Sequence, residues 1–265
     1  MIGELMEKVT AIIPTFNEER HIKDAIASVK WADEVLVVDS FSTDRTVEIA
    51  RENGAKVIQR EYGYSASQKN WAIPQASHPW IFLLDADERC TPELEREMKT
   101  VVAKPQHDAY WIHRVNHFMG KKINYSGWQS DKVVRLFKRD TCKYQDLKVH
   151  AEIESSGSIS KLKNKIIHYT YVDLASYLKK ADRYTTWGAM DRFEKFQKSG
   201  RRISWMYLFF RPLGRFVRHY IWRLGFLDGT HGLVVSLLSA HNIFIRAVKI
   251  WRLQAGEKLT DPFKK

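Results

Sequence analysis

The chain has 265 residues, 44% hydrophobic and 12% aromatic, without low-complexity tracts or internal repeats, which excludes a disordered chain and leaves ample length for a full core. Two cysteines, Cys90 and Cys142, are too few for a zinc site or a disulfide framework and fit a reducing compartment. The net charge is +12, and ten of those charges fall between Lys195 and Gly256, where eleven Lys/Arg meet a single acid, Asp228.

KVTAIIP (8–14) reads as a buried strand, and NEERHIKDAIASV places Ile22, Ala25, Ile26 and Val29 on one helical face. DEVLVVDS is a second strand, STDRTVEIARENG a helix stopped at Gly54, and AKVIQRE a third strand. A helix over 65–76, disturbed at its end by Pro74, leads to a fourth strand, WIFLLDADE. This alternation predicts a parallel, doubly wound sheet. After the helix PELEREMKTVVA the pattern changes to strands, in DAYWIHRVNHF, DKVVRLFKR and VHAEIE, with Gly120, Gly127 and Gly157 marking the turns. These predict an antiparallel extension that closes one side of a crevice. From Asp173 onward the pattern is helical, with Gly200 as a hinge. The expected division is an α/β domain over 1–172 and a helical region over 173–265.

In PWIFLLDADERC, five apolar residues run directly into Asp85, Asp87 and Glu88. Open α/β sheets bind ligands at the carboxyl ends of their strands, and strand alternation puts Asp85 and Asp87 on one side. Two such carboxylates repel unless a cation lies between them. The plainer reading is a solvated turn ahead of a helix that starts at Thr91-Pro92-Glu93.

Four segments decide between these: IIPTFNEE (12–19), VVDSFSTDRT (37–46), SQKNWAI (67–73) and FLLDADE (82–88). In this order they resemble the family 2 inverting glycosyltransferases, over about residues 8–171. Within that family the chain is similar to bacterial β-1,4-glucosyltransferases of lipopolysaccharide core assembly, through GWQSDKVVRLFKR, VHAEIE, IIHYTY and GFLDGTHG. The Gln-x-x-Arg-Trp signature and membrane spans of the processive synthases are not found. The resemblance implies a GT-A nucleotide-sugar-binding fold, a doubly wound mixed sheet, and a UDP-sugar donor with glucose favoured. It implies Mg²⁺ or Mn²⁺ held by Asp85 and Asp87, flanking Ala86 in a D-x-D motif, with Asp85 also reaching the ribose. Asp39 would accept from the base, against a plain capping role. Pro14, Thr15, Asn17 and Glu18 would line the nucleoside, with Asn17 equally suited to a helix N-cap. Lys69 is a candidate phosphate or donor-sugar contact, or else a solvated helix lysine.

An inverting transfer needs a base to take the acceptor hydroxyl's proton. The resemblance puts it in VHAEIE, giving Glu152 as the candidate and Asp131, Asp146 and Glu154 as alternatives. His150 would orient the base or approach the metal, and Trp128 would stack on a sugar; both also suit structural roles.

In FFRPLGRFVRHYIWRLGF, Phe209, Leu213, Phe216, Val217 and Tyr220 recur at helical spacing, while Arg211, Arg215 and Arg218 recur on another face. That pattern predicts an amphipathic, membrane-associating extension, peripheral on an anionic leaflet, and the resemblance implies the cytoplasmic side of the inner membrane. The apolar run HGLVVSLLSAHNIFIRAVKIW is broken by His241, Asn242 and Arg246, against a spanning helix. The acceptor would be a lipid-anchored glycan, such as lipopolysaccharide core or a polyprenyl-linked sugar. The alternative is that these helices pack on the α/β domain or on a second copy of the chain. A sugar nucleotidyltransferase would want a Gly-rich, basic first loop, and PTFNEER has neither glycine nor basic excess. A nucleic-acid partner is not expected, since the basic charge sits in one apolar helical region without a recognised motif. The intact DADE cluster argues against a non-catalytic binding protein.

Overall fold

The computed structural model describes residues 7–147 and 151–260. It divides into two compact units. The first runs to Val115 and resumes over Asp131–Tyr169; the second comprises Asn116–Ser130 and the chain from Thr170 onward. Residues 116–130, placed by the sequence in the α/β domain, thus group with the helical part.

The first unit is built on β1 (Val9–Thr15), β2 (Glu34–Asp39), β3 (Lys56–Gln59) and β4 (Trp80–Leu83), connected through α1 (Ile22–Ser28), α2 (Thr46–Glu52) and α3 (Ser65–Ala72) with a 3-10 turn at Ile73–Gln75. β1 pairs in parallel with both β2 and β4, and β2 with β3. Strand β4 is buried along its whole length, which is why its sequence is apolar at every position rather than alternating. Beyond β4 come the two-residue β5 (Glu88–Arg89), α4 (Pro92–Ala103), β6 (Ala109–Phe118), β7 (Lys121–Lys122), β8 (Lys132–Lys138), β9 (Cys142–Tyr144), β10 (Ile153–Ser155) and β11 (Ile159–Tyr171). The sheet order is β3-β2-β1-β4-β8-β6-β11-β5, with β8 antiparallel to β4 and to β6. The sheet is therefore mixed, parallel in its first half and antiparallel after β4. β9 and β10 form a separate hairpin. Cores lie on both faces, one centred on Ile13, Ile26, Phe82 and Leu94, the other on Ile12, Leu36, Ile81 and Phe137.

Helix α4 has the predicted limits because Thr91 caps Leu94 N–H and Pro92 opens the first turn. WIFLLDADE stops as a strand at Leu83, although Leu84 N–H still donates to Ile12 C=O at 3.0 Å. The 13-residue β11 is a strand that the sequence reading did not assign.

In the second unit, α5 (Leu174–Ser199) is capped by Asp173 and ends at Gly200 in the left-handed conformation (φ 65°). α6 (Trp205–Val217) is followed by a π turn (Arg218–Trp222), a 3-10 turn (Gly225–Asp228) and α7 (Gly229–Gln254). Pro212 lies inside α6. Asp228, the one acid of the basic segment, is buried and accepts from Asn124 and Tyr125 N–H at 3.1 and 2.9 Å. Gly232 lets α7 approach the 3-10 turn: a Cβ there would stand 1.8 Å from Gly225 C=O. Among the described residues, Gly225–Gln254 is the helical run long and apolar enough to cross a membrane by length and composition. Two of its polar side chains, however, are tied to α5: Asn242 donates to the Tyr177 hydroxyl and Lys249 to Asp182.

Candidate active site

Strand order reverses at β1, which has β2 on one side and β4 on the other, and the crevice outside such a switch point is where open α/β sheets take ligands. The carboxyl ends of β1, β2 and β4 carry PTFNEE, DSFSTD and DADE. The first two loops are stitched together. Asn17 N–H donates to Ser42 Oγ (2.8 Å), Asn17 Oδ1 accepts from Thr43 N–H (2.8 Å), and Glu18 N–H donates to Thr46 Oγ1 (2.8 Å). Across the same seam Glu19 N–H donates to Asp44 Oδ2 and Glu19 Oε2 accepts from Arg45 N–H, each at 3.2 Å. Asn17 is accordingly not an N-cap; α1 begins at Ile22 without a side-chain cap, and Asn17 adopts φ 55° to clasp the second loop.

Asp39 is fully buried, with its carboxylate accepting from Ser42 N–H and Oγ and from Gln59 Nε2. It holds its own loop, and a base contact would have to share these oxygens. Pro14 is half-buried, while Thr15 is buried with its Oγ1 lacking a partner among the described residues, a hydroxyl that a bound nucleoside would satisfy.

Four consecutive residues of α3 then point four ways. Ser67 accepts from Arg60, Gln68 Nε2 donates to Val38 C=O and Ser40 Oγ, and Asn70 exchanges two 2.8 Å bonds with the Tyr144 backbone. Lys69 is only 11% exposed, with Nζ 3.5 Å from Asp85 Oδ1 and 5.2 Å from the Tyr144 ring centroid. The solvated-lysine alternative does not describe it.

DADE itself is a closed turn: Glu88 N–H donates to Asp85 C=O at 2.9 Å, and Asp85 N–H donates back to Glu88 Oε2 at 3.0 Å. Glu88, with no exposed surface, also accepts from Arg135 (2.7 Å) and Arg114 (3.3 Å). Arg135, 2% exposed, bridges Glu88 and Asp85. Burial alone would raise the Asp85 carboxyl, but the Arg135 guanidinium and then the Lys69 ammonium outweigh it and hold the group well below the usual carboxylate range. Ala86 is buried, its C=O accepting from Arg89. Asp87 Oδ1 lies 3.6 Å from His168 Nε2 on β11, and Asp87 C=O accepts from Tyr169 N–H.

Arg135, Arg114 and His168 were not singled out from sequence. A charge inside VVRLF, a strand otherwise apolar on both faces, was the available signal for Arg135.

Mg²⁺ and Mn²⁺ take carboxylate oxygens, and Mn²⁺ also takes imidazole. Asp87 with His168 fits that chemistry. Asp85 fits it in competition with Lys69, the looser of its two cations. Among the described residues no three His, Cys, Asp or Glu side chains form a ready metal cage, so substrate phosphate oxygens would complete the coordination.

The candidate bases are dispersed. Glu152 is exposed, its N–H donating to Gln145 Oε1 at 3.3 Å. Asp131 is held bidentate by Arg114 at 2.8 and 2.9 Å, which occupies both oxygens. Asp146 accepts from the Tyr64 hydroxyl. Glu154, with Asn70, Lys143, Tyr144 and Asp146, lines a pocket of about 530 Å³. His150 lies outside the described residues. Trp128, in the second unit, packs edge-on to Phe118 within an aromatic cluster that includes Tyr171.

The model of the family described as glycosyl transferase family 2 matches residues 10–183. The chain belongs to that family. Its mixed α/β unit is the GT-A arrangement that membership implies, and the chain is a glycosyltransferase. An uncharacterized glycosyltransferase of Rickettsia felis is 30% identical, the match covering 92% of this chain and 90% of the relative. A lipopolysaccharide core biosynthesis glycosyltransferase, LpsC, of Rhizobium meliloti is 28% identical over 90% and 92% of the two chains. Among solved structures, Mycobacterium tuberculosis glucosyl-3-phosphoglycerate synthase with Mn²⁺ and UDP matches at 21% identity, covering 42% of this chain and 44% of that one, with a TM-score of 0.37.

Proposed function

We propose that this glycosyltransferase moves a hexose, glucose favoured, from a UDP-sugar to a lipid-anchored glycan with inversion at the anomeric carbon. Lipopolysaccharide core or a polyprenyl-linked glycan is the acceptor class, reached from the cytoplasmic side of the inner membrane. The observation that carries this reading is the meeting of Asp85 with Lys69 and Arg135 at the end of β4, with Asp87 two residues on beside His168, and the two clasped loops at the neighbouring strand ends. The lipopolysaccharide-core role named for the Rhizobium relative supports the acceptor class.

The clasped loops would hold the nucleoside, with Thr15 Oγ1 and Asp39 as its polar contacts. Asp87 and His168, with Asp85, would hold Mg²⁺ or Mn²⁺; when bound, the ion neutralises charge on the departing diphosphate. Lys69 would turn from Asp85 toward the phosphates, a small movement for a side chain already at the crevice. Glu152 would take the acceptor hydroxyl's proton, because Asp131 and Asp146 are engaged elsewhere; Glu154, on the pocket wall, is the competing carboxylate. The basic, aromatic helices would keep the protein on an anionic surface where the acceptor is anchored.

A donor screen tests this. Purified protein with Mn²⁺ and individual nucleotide sugars should release UDP, fastest from UDP-glucose. Release of pyrophosphate from UTP and a sugar phosphate would instead establish a nucleotidyltransferase.

A further inference from the structure

Cations in the helical unit are unevenly matched. Lys249 of α7 reaches Asp182 at 2.7 Å and the hydroxyls of Thr185 and Thr186. Arg246, one turn earlier, makes no ion pair among the described residues, and neither does Arg192 of α5. The Arg246 side chain lies across Gly188: a Cβ at that position would stand 3.1 Å from Arg246 Cδ. Glycine is unfavourable in mid-helix, and here it seats an arginine between two helices. Arg192 sits one turn beyond Gly188 on the same face of α5.

Helix α6 adds Arg211 and Arg215, also one turn apart. Burial lowers the Arg246 pKa first and the Arg192 charge next, with Arg215 and Arg211 lowering it further against an opposing contribution from Tyr207, so the four arginines share one field. Arg215 Nη1 is 3.1 Å from His219 Nε2. A guanidinium can only donate, so that nitrogen accepts and the imidazole is neutral. Burial and the neighbouring arginines push the His219 pKa down to about 4, so it adds no charge and no counter-charge near neutral pH. Among the described residues none of the four makes an ion pair with a carboxylate, and Arg211 lies over the Tyr207 ring at 5.1 Å. Beside them α6 exposes Trp205, Met206, Phe209, Phe210 and Leu213, side chains suited to an acyl boundary rather than to water.

We infer that Arg192, Arg211, Arg215 and Arg246 form a seat for a phosphate monoester or diphosphate carried on a lipid. Guanidinium forks match phosphate oxygens in bidentate geometry, and several of them suit a dianion better than a single carboxylate. The inference deepens the membrane-linked acceptor reading and rests on it.

The test uses the full chain and Arg192→Gln/Arg246→Gln. Vesicles of phosphatidylcholine are doped either with phosphatidic acid or, at equal surface charge, with oleate. Wild type should float best with phosphatidic acid, and the double variant should lose that preference over oleate roughly tenfold, beyond the loss on both vesicles from its two missing charges. Without ligand the variant should melt close to wild type, because the mutual repulsion it removes offsets the packing that Arg246 loses over Gly188. A lower melting point would show the arginines to be structural and overturn the seat. Equal flotation of both proteins on both vesicles would also overturn it, leaving the membrane reading intact. Wild type that floats with neither vesicle would remove the lipid source; inorganic pyrophosphate that raises the melting point of wild type alone would then reassign the seat to a soluble phosphate. UDP release from UDP-glucose without vesicles reads the donor chemistry separately.

Discussion

The two units treat charge in opposite ways. In the α/β unit Glu88 is wholly buried yet fully engaged, holding the Asp85 amide, Arg114 and Arg135, while Arg114 also grips Asp131. In the helical unit no residue of α6 is buried, aromatic side chains face outward, and Arg192 and Arg246 make no ion pair among the described residues. A network that neutralises itself positions other groups. A surplus left unpaired is what the proposed phosphate seat would draw on.

Mutations can sharpen that contrast. The largest effect is expected from Asp87→Ala, which should lower turnover by about three orders of magnitude or more, in line with losing charge stabilisation at the reacting centre, without changing the melting temperature. Steady-state UDP release and a thermal melt check both halves. Arg135→Ala should do the reverse in kind, costing about 3–5 kcal/mol of stability by leaving Glu88 buried without its closest cation, readable as a fall of roughly 10 °C in Tm.

A pH series tests the same network. The Asp85 carboxyl titrates lower in the folded chain than in the unfolded one, so its stabilisation is complete above about pH 4 and is lost as pH falls through that value toward the folded pKa. Acid unfolding of Asp85→Asn should therefore show a shallower limb below about pH 4 than wild type. In the helical unit, Arg211/Arg215/Arg218→Ala should reduce flotation on anionic vesicles on the order of tenfold or more, and leave flotation on neutral ones unchanged. The smallest effect is expected from Asn17→Ala, which opens one clasp between the nucleoside loops. Losing about 1 kcal/mol of hydrogen bonding there should raise KM for the donor several-fold and spare kcat.

Much of this organisation is readable in the sequence, for physical reasons. Strands β1, β2 and β4 are buried on both faces, so their apolar runs stand out, and Thr91 with Pro92 marks the start of α4 without ambiguity. β11 escaped notice because ISKLKNKIIHYTY carries exposed lysines at 161, 163 and 165, yet that two-residue period, with Leu162 and Ile166 buried opposite, is itself a strand signal. The long-range pairs were beyond reach. Nothing local in SDKVVRLF joins Arg135 to Glu88, 47 residues away, and nothing in IIHYTY joins His168 to Asp87. The N-cap alternative for Asn17 fails for a related reason: an Asn ahead of a helical pattern also reads as a cap, and only the second loop reveals that it clasps Thr43.

The central claim is that Asp87 and the turn that holds it serve a UDP-sugar. The most direct measurement is UDP formation from UDP-glucose by wild type and Asp87→Ala, with Mn²⁺ and after chelation. The account predicts UDP from wild type with the ion alone and none in the other three conditions. Equal UDP formation by the variant, or by chelated wild type, would contradict it.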